Sequence, residues 1–205
     1  MQTITGTNII KAKQFLNTGE VVAIPTETVY GLAANALDTA AVIKIFEVKN
    51  RPSFNPLIVH CDSWQAAQNY VEHIPVKANL LAENFTPGPL TFLLPKKNNI
   101  PDLVTAGSEK VAIRVPNHPL TLSLLQSLDF PLAAPSANPF GYISPTTAKH
   151  VWESLNGKIP YILDGGAAKV GLESPSLVLM KTTGYYCIVP VELVQKKLKI
   201  LSSKK

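Results

Sequence analysis

The sequence has little of what marks several large classes of protein. Cysteine is scarce: Cys61 and Cys187 are the whole complement of a 205-residue chain. They stand far apart, and no CxxC pair or histidine spacing suits a zinc site. Both read as ordinary reduced thiols, which sets aside a disulfide framework. No apolar run approaches the ~18 residues that a membrane-spanning helix requires, and the first residues, MQTITG, lack a basic stretch followed by an apolar one. The expectation is a soluble, cytoplasmic protein with no membrane partner. Charged residues make up 16% against 46% hydrophobic, so the chain is globular and not disordered. The common nucleotide signatures are also missing, both GxxxxGK(S/T) and a GxGxxG between strand and helix. Any phosphate site must therefore be built from side chains and scattered backbone donors. No Ser, His and Asp set and no carboxylate pair stands at a catalytic spacing, so no general base is assigned.

What the sequence does contain is an alternation of strand-like and helix-like segments. Thr7 is placed to cap a helix over 8–16, with Gly19 as its stop. An apolar strand over 21–24 runs into the polar segment 25–32, and a helix over 39–48 leads to a strand at 57–59. Helices are expected over 63–73 and 76–85. Pro87-Gly88-Pro89 then breaks the chain before a strand at 90–94, because proline continues neither a helix nor a central strand. Further strands fall at 111–115, 131–134, 161–163, 176–180 and 185–189, with helices over 118–128 and 144–155, the second opened by a Ser144 cap and Pro145. Strands that follow one another without a helix between them argue for an α/β fold with a mixed sheet. No repeat or linker interrupts the chain, so a single domain over 1–205 is expected.

The polar residues with chemistry to offer sit on connections, where a scaffold can fix them within reach of a ligand. Lys49 and Arg51 lie between the 39–48 helix and the 57–59 strand, beside Asn55 and ahead of His60. Guanidinium grips phosphate with two parallel hydrogen bonds and ammonium adds a point charge. Lys49 could equally answer the helix dipole. Arg114 stands inside an apolar strand, where an unpaired charge would cost several kcal/mol; it needs Glu27, Glu47, Glu173 or an anionic ligand. Ser136 and Asn138 follow a strand end, where α/β sheets place ligands, and Ser144 begins a helix. His60 alone reads first as a packing residue. The net charge of +5 favours anionic ligands, and the set suits positioning and electrostatic work of the kind phosphoryl and nucleotidyl transfer needs.

Six segments taken in order carry a resemblance: PTETVYGL at 25–32, KNRP at 49–52, NPLIVH at 55–60, PGPLT at 87–91, VAIRVP at 111–116 and PSAN at 135–138. Together they resemble the YrdC-type threonylcarbamoyl-AMP synthase family in its short, single-domain form, over about residues 21–176. The resemblance implies a twisted mixed sheet with helices packed around it and a positively charged cavity. It also implies a nucleotidyl transfer, in which L-threonine, bicarbonate and ATP, with Mg2+ on the triphosphate, give threonylcarbamoyl-adenylate and pyrophosphate. That product would feed N6-threonylcarbamoyladenosine formation in tRNA through a downstream transferase. By motif, Thr28, His60, Arg114 and Ser174 would surround threonine, while Lys49, Arg51, Asn55, Ser136, Asn138 and Ser144 would face ATP. Two departures are visible: Glu173-Ser174-Pro175-Ser176 replaces the family's GxEST continuation, and Val189-Pro190-Val191 stands where an Arg-Pro-Gly is common. The second departure removes an arginine that usually contacts the nucleotide. Two other readings are a non-catalytic binder of tRNA or double-stranded RNA, and a carbamoyl-adenylate enzyme of the same fold.

Overall fold

The computed structural model describes residues 2–171 with their side chains, and the strands 176–180 and 184–187 by backbone. Ser174, Glu173, the 189–191 segment and the Cys187 side chain lie outside those described residues. Among them, ten strands form one mixed sheet in the order β1-β8-β2-β3-β7-β4-β6-β5-β9-β10. The strands are β1 Ile4–Gly6, β2 Val22–Ile24, β3 Gly31–Asn35, β4 Ile58–His60, β5 Thr91–Pro95, β6 Lys110–Arg114, β7 Leu132–Ala133, β8 Tyr161–Leu163, β9 Ser176–Met180 and β10 Gly184–Cys187. The parallel pairs β4–β6 and β5–β9 lie among antiparallel ones such as β2–β3 and β5–β6, as consecutive strand-like segments predicted.

Period-two alternation decides which helix covers which face. Val22 and Ile24 pack with Leu132, Tyr161 and Leu163, while Ala23, Ala133 and Ile162 join the opposite cluster. The first face is covered by α1 Ile9–Asn17 and α6 Pro119–Ser127, through Ala12, Leu16, Leu124 and Leu125. The second is covered by α2 Thr39–Lys49, α4 Val76–Phe85 and α7 Ala148–Leu155. Val111, Ile113 and Val115 belong to the second cluster, so Arg114 between them points to the α1/α6 face.

The differences from the sequence reading have local causes. Asn8 and not Thr7 caps α1, its Oδ1 accepting from Lys11 N at 3.1 Å. Residues 31–35 form β3 although Gly-Leu-Ala-Ala-Asn has no β-branched residue; burial on both faces overrides the weak local preference. The helix begun at Ser63, α3 Trp64–Ala67, is cut short because the following residues are drawn to β5 and its extension: Glu72 N donates to Pro95 O and Lys97 N to Tyr70 O. A one-turn helix, α5 Asp102–Thr105, was not anticipated. Ser144 is not the cap of α7. Thr147 takes that role toward His150 N at 3.2 Å, because Pro145 O is engaged upstream, accepting from Tyr30 N at 2.8 Å. Among the described residues no helix is long and apolar enough to cross a membrane.

Candidate active site

The site is organised by one buried cation. Arg114 closes β6, only 3% exposed, level with His60 at the end of the parallel neighbour β4. Although β6 lies three places from β3 in the sheet, Arg114 Nη2 donates to Thr28 Oγ1 at 3.0 Å, which brings the segment joining β2 to β3 across the sheet face. The same nitrogen meets Glu27 Oε1 at 2.9 Å, and Nε donates to Gly88 O at 3.3 Å. Gly88 is required there: a Cβ would meet Phe85 O at 2.4 Å, and Gly88 N is itself tied to Val115 O. Burial lowers the pKa of Arg114 from its ordinary value and Glu27 works against that fall. Of the candidate partners, then, Glu27 is the one found, and an anchored arginine still leaves open which ligand it serves.

Two buried polar atoms, one within this pair and one beside it, have no aligned hydrogen bond among the described residues. Glu27 Oε1 makes the ion pair without an aligned hydrogen bond, whereas Oε2 accepts from Asn117 N at 3.0 Å. His60 Nδ1 has no hydrogen-bond partner among the described residues. Burial, aided by the nearby Arg114 charge, pushes the His60 pKa down to about 3, so its ring is neutral at ordinary pH. Buried polar groups almost always find partners, and orphaned ones concentrated around a cation mark a place where a ligand's donors are wanted.

A second group forms where α2 ends. Asn50 takes the left-handed conformation (φ 50°), which turns the chain out of the helix and lets Arg51 N close back on Phe46 O. Arg51 Nη2 donates to Pro56 O at 3.1 Å and its guanidinium lies 5.7 Å from the Phe140 ring centroid, while Asn55 N donates to Pro52 O. Lys49 goes inward. Its ammonium donates to Ser136 O at 2.5 Å and to the Asn138 carbonyl, and its own carbonyl accepts from Phe140 N. Asn138 is buried, its side-chain amide donating to Tyr142 O at 2.5 Å. Lys49 and Asn138 thus hold the shape of the 136–142 loop, on which Ser136 and, two residues beyond it, Ser144 are carried. Tyr30 joins the two groups, since its carbonyl accepts from Ala137 N and its N–H donates to Pro145 O.

The structure therefore gathers Thr28, His60 and Arg114 in one cluster and Lys49, Arg51, Ser136 and Asn138 in another, with Asn55 and Ser144 on the adjoining turns. Gly88 was read as part of a chain break and of the PGPLT segment but not as a partner of Arg114, the backbone of Asn117 was not singled out, and Glu27 entered only as one of three partners for Arg114. Nothing local signals that a carboxylate at 27, a carbonyl at 88 and an amide at 117 converge.

A mixed sheet bearing a buried arginine paired with Glu27 beside His60, next to a loop held by Lys49, defines an α/β domain with a buried polar cluster at its strand ends. The chain belongs to the Sua5/YciO/YrdC family: that family's model, described as telomere recombination, matches residues 14–189. It is 45% identical over 192 residues to the threonylcarbamoyl-AMP synthase of Pyrococcus abyssi (strain GE5 / Orsay), covering 90% of this chain and 55% of that one. With the threonylcarbamoyl-AMP synthase of Bacillus subtilis (strain 168) it shares 51% identity over 170 residues, 82% of this chain and 49% of the relative. The chain thus spans about half the length of these two relatives. Its fold superposes with a TM-score of 0.88 on the crystal structure of P. abyssi Sua5 complexed with L-threonine, at 42% identity over 95% of this chain and 59% of that one.

Proposed function

We propose that this chain makes threonylcarbamoyl-adenylate from L-threonine, bicarbonate and ATP, releasing pyrophosphate and water. The observation that supports the reading best is Arg114, held against Glu27 Oε1 at 2.9 Å and level with His60, whose buried Nδ1 has no hydrogen-bond partner among the described residues. A zwitterionic hydroxy-amino acid suits the three groups: its carboxylate faces the guanidinium, its ammonium faces the Glu27 carboxylate, and its hydroxyl supplies a donor to the imidazole. Thr28 orients Arg114 within this pocket, and Ser174 is added to it on motif alone. The names of the P. abyssi and B. subtilis relatives, and a P. abyssi Sua5 structure holding L-threonine, support the same assignment.

ATP is assigned to the neighbouring group. Arg51, Asn55, Ser136 and Ser144 face its phosphates and ribose, while Lys49 and Asn138 hold the loop that presents them. Mg2+ enters as MgATP and neutralises charge on the departing pyrophosphate. The threonine amine, once deprotonated, adds to the bicarbonate carbon and water is lost. A carbamate oxygen then attacks the α-phosphorus and pyrophosphate leaves in line. The protein holds the anionic reactants at reacting distance and stabilises charge on phosphate. The product is a mixed anhydride that water cleaves, so we assign its use to a transferase that modifies tRNA.

The test is pyrophosphate release by the purified chain with ATP, Mg2+, bicarbonate and threonine, each omitted in turn. Release should require all four, and Arg51→Ala or Arg114→Ala should lower it by about 100-fold or more. Release that continues without threonine, or none from the complete mixture, contradicts the reading.

A further inference from the structure

The first residue ahead of α6 breaks a local rule. His118 occupies the N-cap position, where Ser, Thr, Asp or Asn would each satisfy a free backbone N–H, yet its side chain makes no capping hydrogen bond. The ring turns away from the helix and meets Gly165, with Nε2 3.3 Å from Gly165 O. A carbonyl only accepts, so Nε2 carries the proton and donates. Burial lowers the pKa of His118, in keeping with a neutral ring. Nδ1 is then left buried without a hydrogen-bond partner among the described residues. Contact is close: a Cβ on Gly165 would lie 2.4 Å from His118 Cε1 and 2.6 Å from Pro25 Cγ, so only glycine fits between the two.

The 164–171 loop that begins at this contact ends on the amino-acid pocket. Val170 N donates to Glu27 O at 2.9 Å and Gly171 N to Thr28 O at 3.0 Å. Tyr30 fastens the loop's start as well, its hydroxyl donating to Gly166 O at 2.7 Å and accepting from Gly165 N at 3.2 Å. The N-terminal end of α6 holds the same pocket segment from the other side, through Thr121 Oγ1 to Pro25 O and Asn117 N to Glu27 Oε2. His118 thus links the platform to the loop, and the loop to the backbone of the two residues whose side chains hold Arg114. Its other surroundings are open: Thr26, Asn117 and Lys169 share with it a cavity of about 340 Å³. Truncating the ring therefore removes little core packing.

We propose that His118 is a positioning residue for the amino-acid substrate, latching the 164–171 loop through Gly165 so that Glu27 and Thr28 present Arg114 correctly. This rests on the function proposed above. The latch's nearest contacts are with the threonine cluster, while on the ATP side the loop is tied through Ala168 N, which donates to Thr146 O at 2.8 Å, and through Tyr30. Three variants separate the hydrogen bond from the ring. His118→Ala removes both, His118→Phe keeps the packing without the donor, and His118→Gln restores an N–H near the Nε2 position.

In pyrophosphate-release kinetics, His118→Ala and His118→Phe should raise the KM for threonine about tenfold while the KM for ATP stays within about twofold, and His118→Gln should recover most of the loss. Hydrogen exchange gives a readout independent of turnover: the Val170 and Gly171 amides should exchange faster in the Ala and Phe variants and return toward wild type in Gln. If both KM values rise together, if Phe behaves as wild type, or if the two amides are unaffected, the proposal is overturned. An inactive wild-type chain would instead count against the proposed reaction, and the exchange data would still decide whether the latch exists.

Discussion

Glu27 and Arg114 are each other's condition for being buried. A guanidinium removed from water is stable there only with a countercharge, and Glu27 Oε1 at 2.9 Å provides it. Glu27→Gln should cost about 3–5 kcal/mol in urea unfolding, since it leaves Arg114 buried and unpaired, whereas Glu27→Gln combined with Arg114→Met should recover part of that loss. A single substitution with no measurable cost would contradict the pairing. His60 yields a second prediction with a definite sign. Its pKa falls from an ordinary 6.5 to about 3 in the fold, so between those values the unfolded chain binds the extra proton. Its contribution is complete above about pH 6.5 and drains away as the pH falls toward 3, with a slope of at most about 1.4 kcal/mol per pH unit. His60→Gln should flatten unfolding free energy against pH across that window, which urea titrations from pH 4 to 7 would read. At this scale the sequence was readable where a residue contradicted its surroundings. Arg114 stood out as a charge in an apolar strand. Glu27 and His118 did not, because the contacts that give them meaning join residues about ninety and about fifty positions apart.

Among the elements, the helix-to-strand connection after α2 matters through its backbone as much as through its charges. Lys49 was read as a phosphate-binding cation or a partner for the helix dipole, and its ammonium faces the carbonyls of Ser136 and Asn138. Lys49→Met should leave those carbonyls without their donor, costing about 2–4 kcal/mol. It should also weaken ATP binding by calorimetry while threonine binding is retained. Equal loss of both ligands would argue against a role confined to the 136–142 loop. Helices with strong ends were legible, α2 and α4 among them, because periodic apolar residues and a following breaker mark them. The weak elements were not. β3 is a strand by burial alone, α3 is cut short by pairing with a distant strand, and the expected start of α7 is displaced because Pro145 belongs to Tyr30.

Across the whole molecule, the mixed sheet followed from strands that succeed one another without helices, and the order of its motifs was enough to indicate the family. What remained hidden was which face of the sheet carries the site, since that depends on how Val111, Ile113 and Val115 pack and so on which way Arg114 points. Placing Arg114 and His60 side by side on the α1/α6 face, under the 25–30 segment, turns separate motifs into one cluster: a cation paired with Glu27 and a histidine nitrogen without a hydrogen-bond partner among the described residues. That this cluster receives threonine is the central proposal, and calorimetric titration of the chain with L-threonine and with L-alanine tests it most directly. Threonine should bind saturably, alanine more weakly for want of a hydroxyl to donate to His60, and Arg114→Gln should abolish binding of both. Threonine binding that survives Arg114→Gln, or that alanine equals, would contradict it.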